Sequence, residues 1–300
     1  MAYARCMGQV QSSKIVGGGP TGTFELAASS QRCVMVQSWR NLLFLHWPFE
    51  PDVIQASLPD GLEVDTFGGR AYVGVVPFSM EKVRPVGLPP VPGLSWFGEL
   101  NLRTYVIGPD GSPGVWFYSL DADQRIAVWL ARQVFALPYH HATIRGERQI
   151  GYGPDLPRRI RIRYRWSRTS TPAKPDTPSF EYDAPPESDT LPTTPRTLEH
   201  FLVERYLLFS RRPLFIASPG QSAVPPGGDL YVGRVDHTPY HVGPARMKST
   251  DTSLFELNGL PTPTGPCVSA LWSPGVDVSV YPLRRVHAQS PERDAQTSKE

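Results

Sequence analysis

Cysteine is nearly missing from this 300-residue chain: Cys6, Cys33 and Cys267 are odd in number and far apart. They exclude a disulfide framework, give no zinc-binding spacing, and fit a reducing compartment. Long hydrophobic runs are missing too. The longest, Leu42 to Phe49, is interrupted by His46 and Pro48 and is far too short to span a membrane. The N-terminus has no continuous apolar stretch to act as a signal peptide. Neither sign of charge dominates: thirty basic against 28 acidic side chains leave a net +2, too balanced to call for a nucleic acid partner. Lysine is scarce, five residues beside 25 arginines. Walker-type GK(S/T), GxGxxG and GxSxG motifs and internal repeats are absent. A soluble, cytoplasmic protein with no membrane partner is expected.

What is present is a hydrophobic fraction of 40 %, enough for a sizeable core. Residues 1–31, rich in Gly, Ser and Gln, and the polar end from 288 to 300 lack periodicity; both are expected to be disordered tails around a single domain at 32–287. Val34 to Leu45 reads as strand, Pro51 to Leu58 as a short helix stopped by Pro59-Asp60-Gly61, and Leu62 to Asp65 and Ala71 to Phe78 as strands. Residues 85–94, PVGLPPVPGL, cannot join a central ladder; they form either a rim over a cavity or a mere connection. Arg145 to Gln149 and Arg159 to Trp166 read as strands. The second, RIRIRYRW, has the look of a nucleic-acid stripe, but equally of an amphipathic strand with a solvated cationic face, which the balanced charge favours. Ser167 to Thr197 is loop-like, with a short strand at 180–182. A helix from Pro195 to Leu202 runs briefly into VERY, and strands follow at Leu207 to Ser210, Pro213 to Ala217 and, after the turn PPGG (225–228), Leu230 to Asp236. Thr252 to Leu257 reads as a helical turn, and Pro266 to Trp272 and Val276 to Tyr281 as the last strands.

The stretch from Trp96 to Ala142 holds the densest set of polar residues in a strand context. Along a strand from Glu99 to Ile107, Glu99, Asn101, Arg103 and Tyr105 point one way and Leu100, Leu102, Thr104 and Val106 the other. Neighbours on one face lie roughly 6.5–7 Å apart, so an acid and a guanidinium end one polar row. The loop GPDGSP turns the chain into Val115 to Asp121, VWFYSLD, whose two apolar faces predict burial on both sides. The polar row then lines an interior cavity, or else it is the solvent face of a half-buried sheet. A helix over 122–136 follows, capped by Asp121 or Asp123, with Ile126, Trp129, Leu130, Gln133, Val134 and Leu137 recurring at helical spacing and Pro138 ending it. His140 and His141 fall on opposite faces of the next strand, so they cannot both serve one site.

QSWRNLLFLHWPF (37–49), LPDGLEVDTFGGRAYVGVVPFSM (58–80), ELNLRTYV (99–106), GVWFYSLDA (114–122), ALPYHHA (136–142) and FLVERYLLFS (201–210) together resemble the YqjF-like family of unknown function, in the acetoacetate decarboxylase-like superfamily. The resemblance covers about residues 33 to 286. It implies an α+β fold that is mainly antiparallel β, a cone-shaped acetoacetate decarboxylase-like β-barrel with a few packed helices and a ligand cavity inside. It also implies that Glu99 stands where the decarboxylases have a cavity glutamate, with Arg103 as the counterpart of their arginine. Homo-oligomers are in keeping with it. This chain departs from the decarboxylases where they carry a Schiff-base lysine: the corresponding segment here is Ala136-Leu137-Pro138-Tyr139-His140, without lysine. Imine formation needs an amine lowered from about 10.4 by burial or a neighbouring cation. Lys14, Lys174 and Lys299 lie in tails or polar linkers, and Lys82 and Lys248 sit in polar strand-like surroundings, so decarboxylase activity itself is not expected.

No cofactor and no metal is expected. His237 and His241 flank Pro239, which argues against a helix, and on a strand they would be about 13 Å apart, too far to share an ion. Two functions stay open. In one, the protein is an enzyme acting on a small carboxylate or oxo-acid: Glu99 and Arg103 are catalytic, Arg103 clamping the carboxylate and Glu99 moving a proton, while Asn101, Tyr105, Tyr139 and His140 bind substrate. In the other, it is a non-catalytic small-molecule-binding protein using the same cavity, with Glu99 and Arg103 as a structural pair.

Overall fold

A computed structural model describes residues 31–153, 156–168, 179–211 and 228–286. The expected tails at 1–31 and 288–300 lie almost wholly outside these residues, as do Lys14, Lys174, Lys299 and the strand expected at Pro213–Ala217. The described residues form fifteen strands and four short α-helices in chain order. They are β1 (Met35–Phe49), α1 (Pro51–Gln55), β2 (Glu63–Val64), β3 (Ala71–Pro85), β4 (Phe97–Ile107), β5 (Pro113–Ala122), α2 (Arg125–Phe135), β6 (Tyr139–Gly153), β7 (Leu156–Arg168), β8 (Phe180–Ala184), β9 (Leu191–Pro192), α3 (Leu198–Val203), β10 (Leu207–Arg211), β11 (Leu230–His237), β12 (His241–Pro244), β13 (Arg246–Thr250), α4 (Ser253–Glu256), β14 (Ser269–Val280) and β15 (Arg284–Arg285).

The sheet is mixed. Its strands run in the order β13-β8-β7-β6-β5-β10-β11-β14-β1-β3-β4-β2, and β4 pairs with β5 as well. Among the described residues all strand pairings are antiparallel except two, and both belong to β5: Val115 and Trp116 pair with Leu208 and Phe209 of β10, and Leu120 to Ala122 with Tyr139 to His141 of β6. Along its other edge β5 meets β4, where Leu102 opposes Ser119 but Arg103 opposes Phe117. Tyr118 is the extra residue of a β-bulge, placed where the β10 and β6 partners part company. Its hydroxyl reaches Ser57 Oγ at 2.6 Å.

The two faces feed two cores. Leu100 and Leu102 pack with Leu43, Leu45, Trp47, Ile160, Ile162 and Trp272; Tyr105, Phe117 and Leu120 pack on the opposite side with Phe44, Phe78, Val276, Val278 and residues of α3. β4 and β5 are thus buried on both faces, and the alternative of a solvent-facing polar row falls.

Several elements differ from the sequence expectation. α2 is capped by Gln124, whose side chain accepts from the Ile126 N–H, because both aspartates are engaged elsewhere: Asp121 with Arg168, and Asp123 with the Gly98 N–H. Of the residues at helical spacing, Leu137 is buried while Ile126 and Trp129 are 60 and 62 % exposed, and Val128 between them is buried. The two last strands are one, β14, which runs through Pro274-Gly275. Gly275 at φ 136° lets the backbone pass close to β1, since a Cβ there would stand 2.1 Å from the Trp39 carbonyl oxygen. Three arginines of β7 are ion-paired across the sheet, Arg161 with Asp183, Arg163 with Glu181 and Arg165 with Glu147, as on an amphipathic strand.

Candidate functional site

β4 places Glu99, Asn101, Arg103 and Tyr105 on one interior face, all buried. They divide into two groups. Glu99, 2 % exposed, accepts from the Tyr139 hydroxyl at 3.0 Å, and Asn101 also bonds its carboxyl. Burial drives the Glu99 carboxyl up to about 8; the Tyr139 and Asn101 bonds oppose the rise and the Asp121 charge adds to it. No cation among the described residues stands beside it, so at neutral pH it is mostly the protonated acid. Burial and the neighbouring Glu99 push the Tyr139 phenol well above its ordinary value. The β6 strand that presents Tyr139 is tied to α2 by Arg132 Nε, which donates to the Tyr139 carbonyl at 2.6 Å.

The second group centres on Arg103, 8 % exposed. Glu99 and Arg103 form no ion pair, and Arg103 makes none with any other described residue. Its Nη2 donates to the Leu202 carbonyl of α3 at 3.0 Å, its Nε is buried without a partner, and the Phe44 and Tyr105 rings lie 5.6 and 5.7 Å from its guanidinium carbon. The Tyr105 hydroxyl donates to the same Leu202 oxygen at 2.6 Å and sits 2.7 Å from His46 Nε2. Tyr105 has one proton to give. If it goes to Leu202, His46 must donate from Nε2, leaving only a lone pair on its unpartnered Nδ1; the other tautomer would bury an orphan N–H, the costlier choice. Burial first, and Arg103 second, hold His46 well below its ordinary value, so it is neutral. Gly74 makes this possible, because a Cβ there would lie 3.0 Å from the His46 ring.

His140 does not join these groups. It pairs in register with Asp121 and is lowered to about 4 by burial, then by Arg168 and Arg132. Asp121 lies on the face opposite Glu99, clamped by Arg168 through Nε at 2.8 Å and Nη2 at 2.7 Å, with the Trp166 indole Nε1–H donating at 2.6 Å. Burial raises its carboxyl and the Arg168 fork pulls it back. His46, Leu202 and Arg168 were not singled out from sequence. His46 carries one signal, a lone imidazole on the apolar face of β1; a backbone carbonyl such as that of Leu202 carries none.

Lys82 and Lys248, the lysines among the described residues, are exposed, and Lys248 faces Asp183 at 3.5 Å. Neither is a desolvated amine. His237 ends β11 and is buried while His241 begins β12 exposed, and among the described residues no group of three metal-binding side chains gathers. A surface cleft of about 510 Å³ lies elsewhere, between Arg40, Glu81, Arg148, Glu187 and Gly275. Among the described residues no helix is long and apolar enough to cross a membrane.

Comparison with solved structures gives the class of fold. The chain is similar to an acetoacetate decarboxylase-like enzyme from Sphingomonas wittichii RW1 (TM-score 0.56, 15 % identity, 85 % of this chain and 93 % of that one). It is similar also to the enduracididine biosynthesis enzyme MppR complexed with the condensation product of pyruvate and imidazole 4-carboxaldehyde (0.57, 16 %, 93 % and 99 %). Acetoacetate decarboxylase from Legionella pneumophila gives 0.54 at 14 % identity, covering 93 % and 98 %. The fold is acetoacetate decarboxylase-like, mainly β with a mixed sheet and few helices. The chain itself belongs to the DUF2071 family, described as an uncharacterized conserved protein, which it matches over residues 36–277. It is 30 % identical over 253 residues to the uncharacterized protein YqjF of Bacillus subtilis (strain 168), covering 84 % of this chain and 92 % of that protein.

Proposed function

We propose that the strands close into a cone-shaped β-barrel around the polar row, and that this interior takes a small carboxylate or oxo-acid on which Glu99 performs a proton-transfer, hydration or hydrolysis step without a Schiff-base lysine. One observation carries the reading: a buried acid near pH 8 and a buried guanidinium lacking a counter-ion share one face of β4 without neutralising each other. An uncompensated buried cation is costly, and an anionic ligand relieves it. A carboxyl that titrates near working pH suits a general acid or base. Asn101 and Tyr139 hold the Glu99 carboxyl in place. The partner is a small molecule rather than nucleic acid or membrane, and the protein works as a cytoplasmic single-domain unit.

A non-catalytic binding protein is the second reading, favoured by Arg103 and Tyr105 both being bonded to the protein's own Leu202 carbonyl. The experiment is a thermal-shift screen against short oxo-acids, hydroxy-acids and acyl carboxylates, with Arg103→Ala alongside. A ligand at about 100 times its Kd adds about 2.7 kcal/mol. A carboxylate hit lost in Arg103→Ala supports the site. Turnover abolished in Glu99→Gln with affinity kept supports the enzyme; turnover unaffected by Glu99→Gln removes the catalytic role. No hit, with Arg103→Ala strongly destabilised, makes the row structural.

A further inference from the structure

We infer that the Leu202 carbonyl at the end of α3 is a built-in occupant of the Arg103 anion site, which a ligand carboxylate displaces, so that the end of α3 is an internal plug. The inference rests on the carboxylate reading above and adds what the site must do to open.

The protein contains its own standard for comparison. Arg168 uses the side-on edge of its guanidinium, Nε and Nη2, to grip both oxygens of Asp121. That bidentate fork matches the spacing of two carboxylate oxygens. Arg103 offers the same edge to a single oxygen. Nη2 reaches Leu202, and Nε, buried beside it, has nothing. A lone carbonyl oxygen satisfies half the fork and brings only a dipole to a full charge.

The Leu202 oxygen belongs to the last turn of α3, where carbonyls lack partners within the helix. Its two bonds both come from side chains of β4, Arg103 and Tyr105. α3 is only six residues long, begun by the Thr197 side chain accepting from the His200 N–H at 3.3 Å. A carboxylate of the right size therefore competes with one oxygen of a short helix. When it wins, it fills Nε and Nη2 together and frees Leu202; the Tyr105 hydroxyl, oriented by His46, can turn to the newcomer. The preferred ligand group is planar with two oxygens, a carboxylate rather than an alcohol or a neutral carbonyl.

The test uses the full chain with pyruvate and formate as probes and sodium chloride at equal ionic strength as control. Binding is measured by calorimetry on the native protein, Arg103→Ala and Thr197→Ala, and amide exchange is followed over residues 198–206. Arg103-dependent binding with faster exchange over 198–206 is the expected result. Thr197→Ala, which loosens α3 without touching Arg103, should then bind severalfold more tightly, since the N-cap it removes no longer holds the plug. Arg103-dependent binding with unchanged or slower exchange, and no gain in Thr197→Ala, overturns the plug and leaves the carboxylate site standing. No binding of either probe to native protein or Thr197→Ala overturns both.

Discussion

Replacing Glu99 by glutamine should stabilise this protein, and more so the higher the pH. In the folded state burial raises the carboxyl from its ordinary 4.5 to about 8. A group raised on folding contributes its full stability below its unfolded pKa and loses it as pH climbs through the folded one. Between pH 4.5 and 8 the native protein must therefore keep a proton that the unfolded chain releases. The penalty reaches about 3 kcal/mol at pH 7 and about 5 kcal/mol above pH 8. Glutamine keeps the shape, still accepts from the Tyr139 hydroxyl, and does not titrate. The quantity to measure is the difference in unfolding free energy between Glu99→Gln and native protein, by urea titration from pH 4 to 9, so that all other titrating groups cancel. It should lie near zero at pH 4.5 and grow steadily; at pH 7 it corresponds to about 6–12 °C in Tm for a domain of this order. A difference that stays flat with pH would refute the reasoning, whatever its sign, because it would mean that Glu99 ionises alike in both states.

Tyr139→Phe should move the Glu99 midpoint further up, since the phenol bond favours the carboxylate; isotope-edited infrared spectroscopy of the carboxyl band reads it. Arg168→Ala leaves the Asp121 carboxylate buried without its partner and should cost about 3–5 kcal/mol in denaturant unfolding, much of it recovered when Asp121→Asn is added. Gly74→Ala drives a methyl against the His46 ring and should cost about 1–3 kcal/mol by the same assay, while disturbing the His46–Tyr105 bond. Trp129→Ser should change stability by no more than about 0.5 kcal/mol, because the indole is exposed; a large loss would mean that the side chain is packed.

The β4–β5 hairpin was legible from residue pattern because two cues agreed: VWFYSLD apolar on both faces, and a polar row alternating strictly on its partner. The first cue made burial of Glu99, Asn101, Arg103 and Tyr105 one of two readings, and only the packing of both faces of β4 decides it against a solvent-facing row. What the pattern could not carry was which apolar residues of α2 are covered, since Ile126 and Trp129 keep helical spacing yet are exposed. Nor could it carry the roles of Asp121 and Asp123, where the helix cap was outcompeted by a guanidinium 47 residues away and by the Gly98 N–H. Pro274-Gly275 read as a break because glycine and proline usually are one; here β14 passes through, with Gly275 used for close approach to β1. The division of the polar row into an acid end and a guanidinium end depends on α3 lying against it, a contact between residues about a hundred positions apart.

The bulge at Tyr118 has a consequence for length. On both sides of it the cross-strand pairs keep their faces: Phe117 with Arg103 inside, Leu120 with Asn101 inside, Asp121 with Leu100 on the other core. Tyr118 is therefore a residue that the alternation does not count. Deleting it would leave every later side chain of β5 on its present face, whereas deleting Phe117 or Ser119 would remove a counted position. In most strands a one-residue deletion exchanges inside for outside; here one position is exempt, and the loss there is confined to the bend that sends β10 and β6 in different directions and to the Ser57 contact.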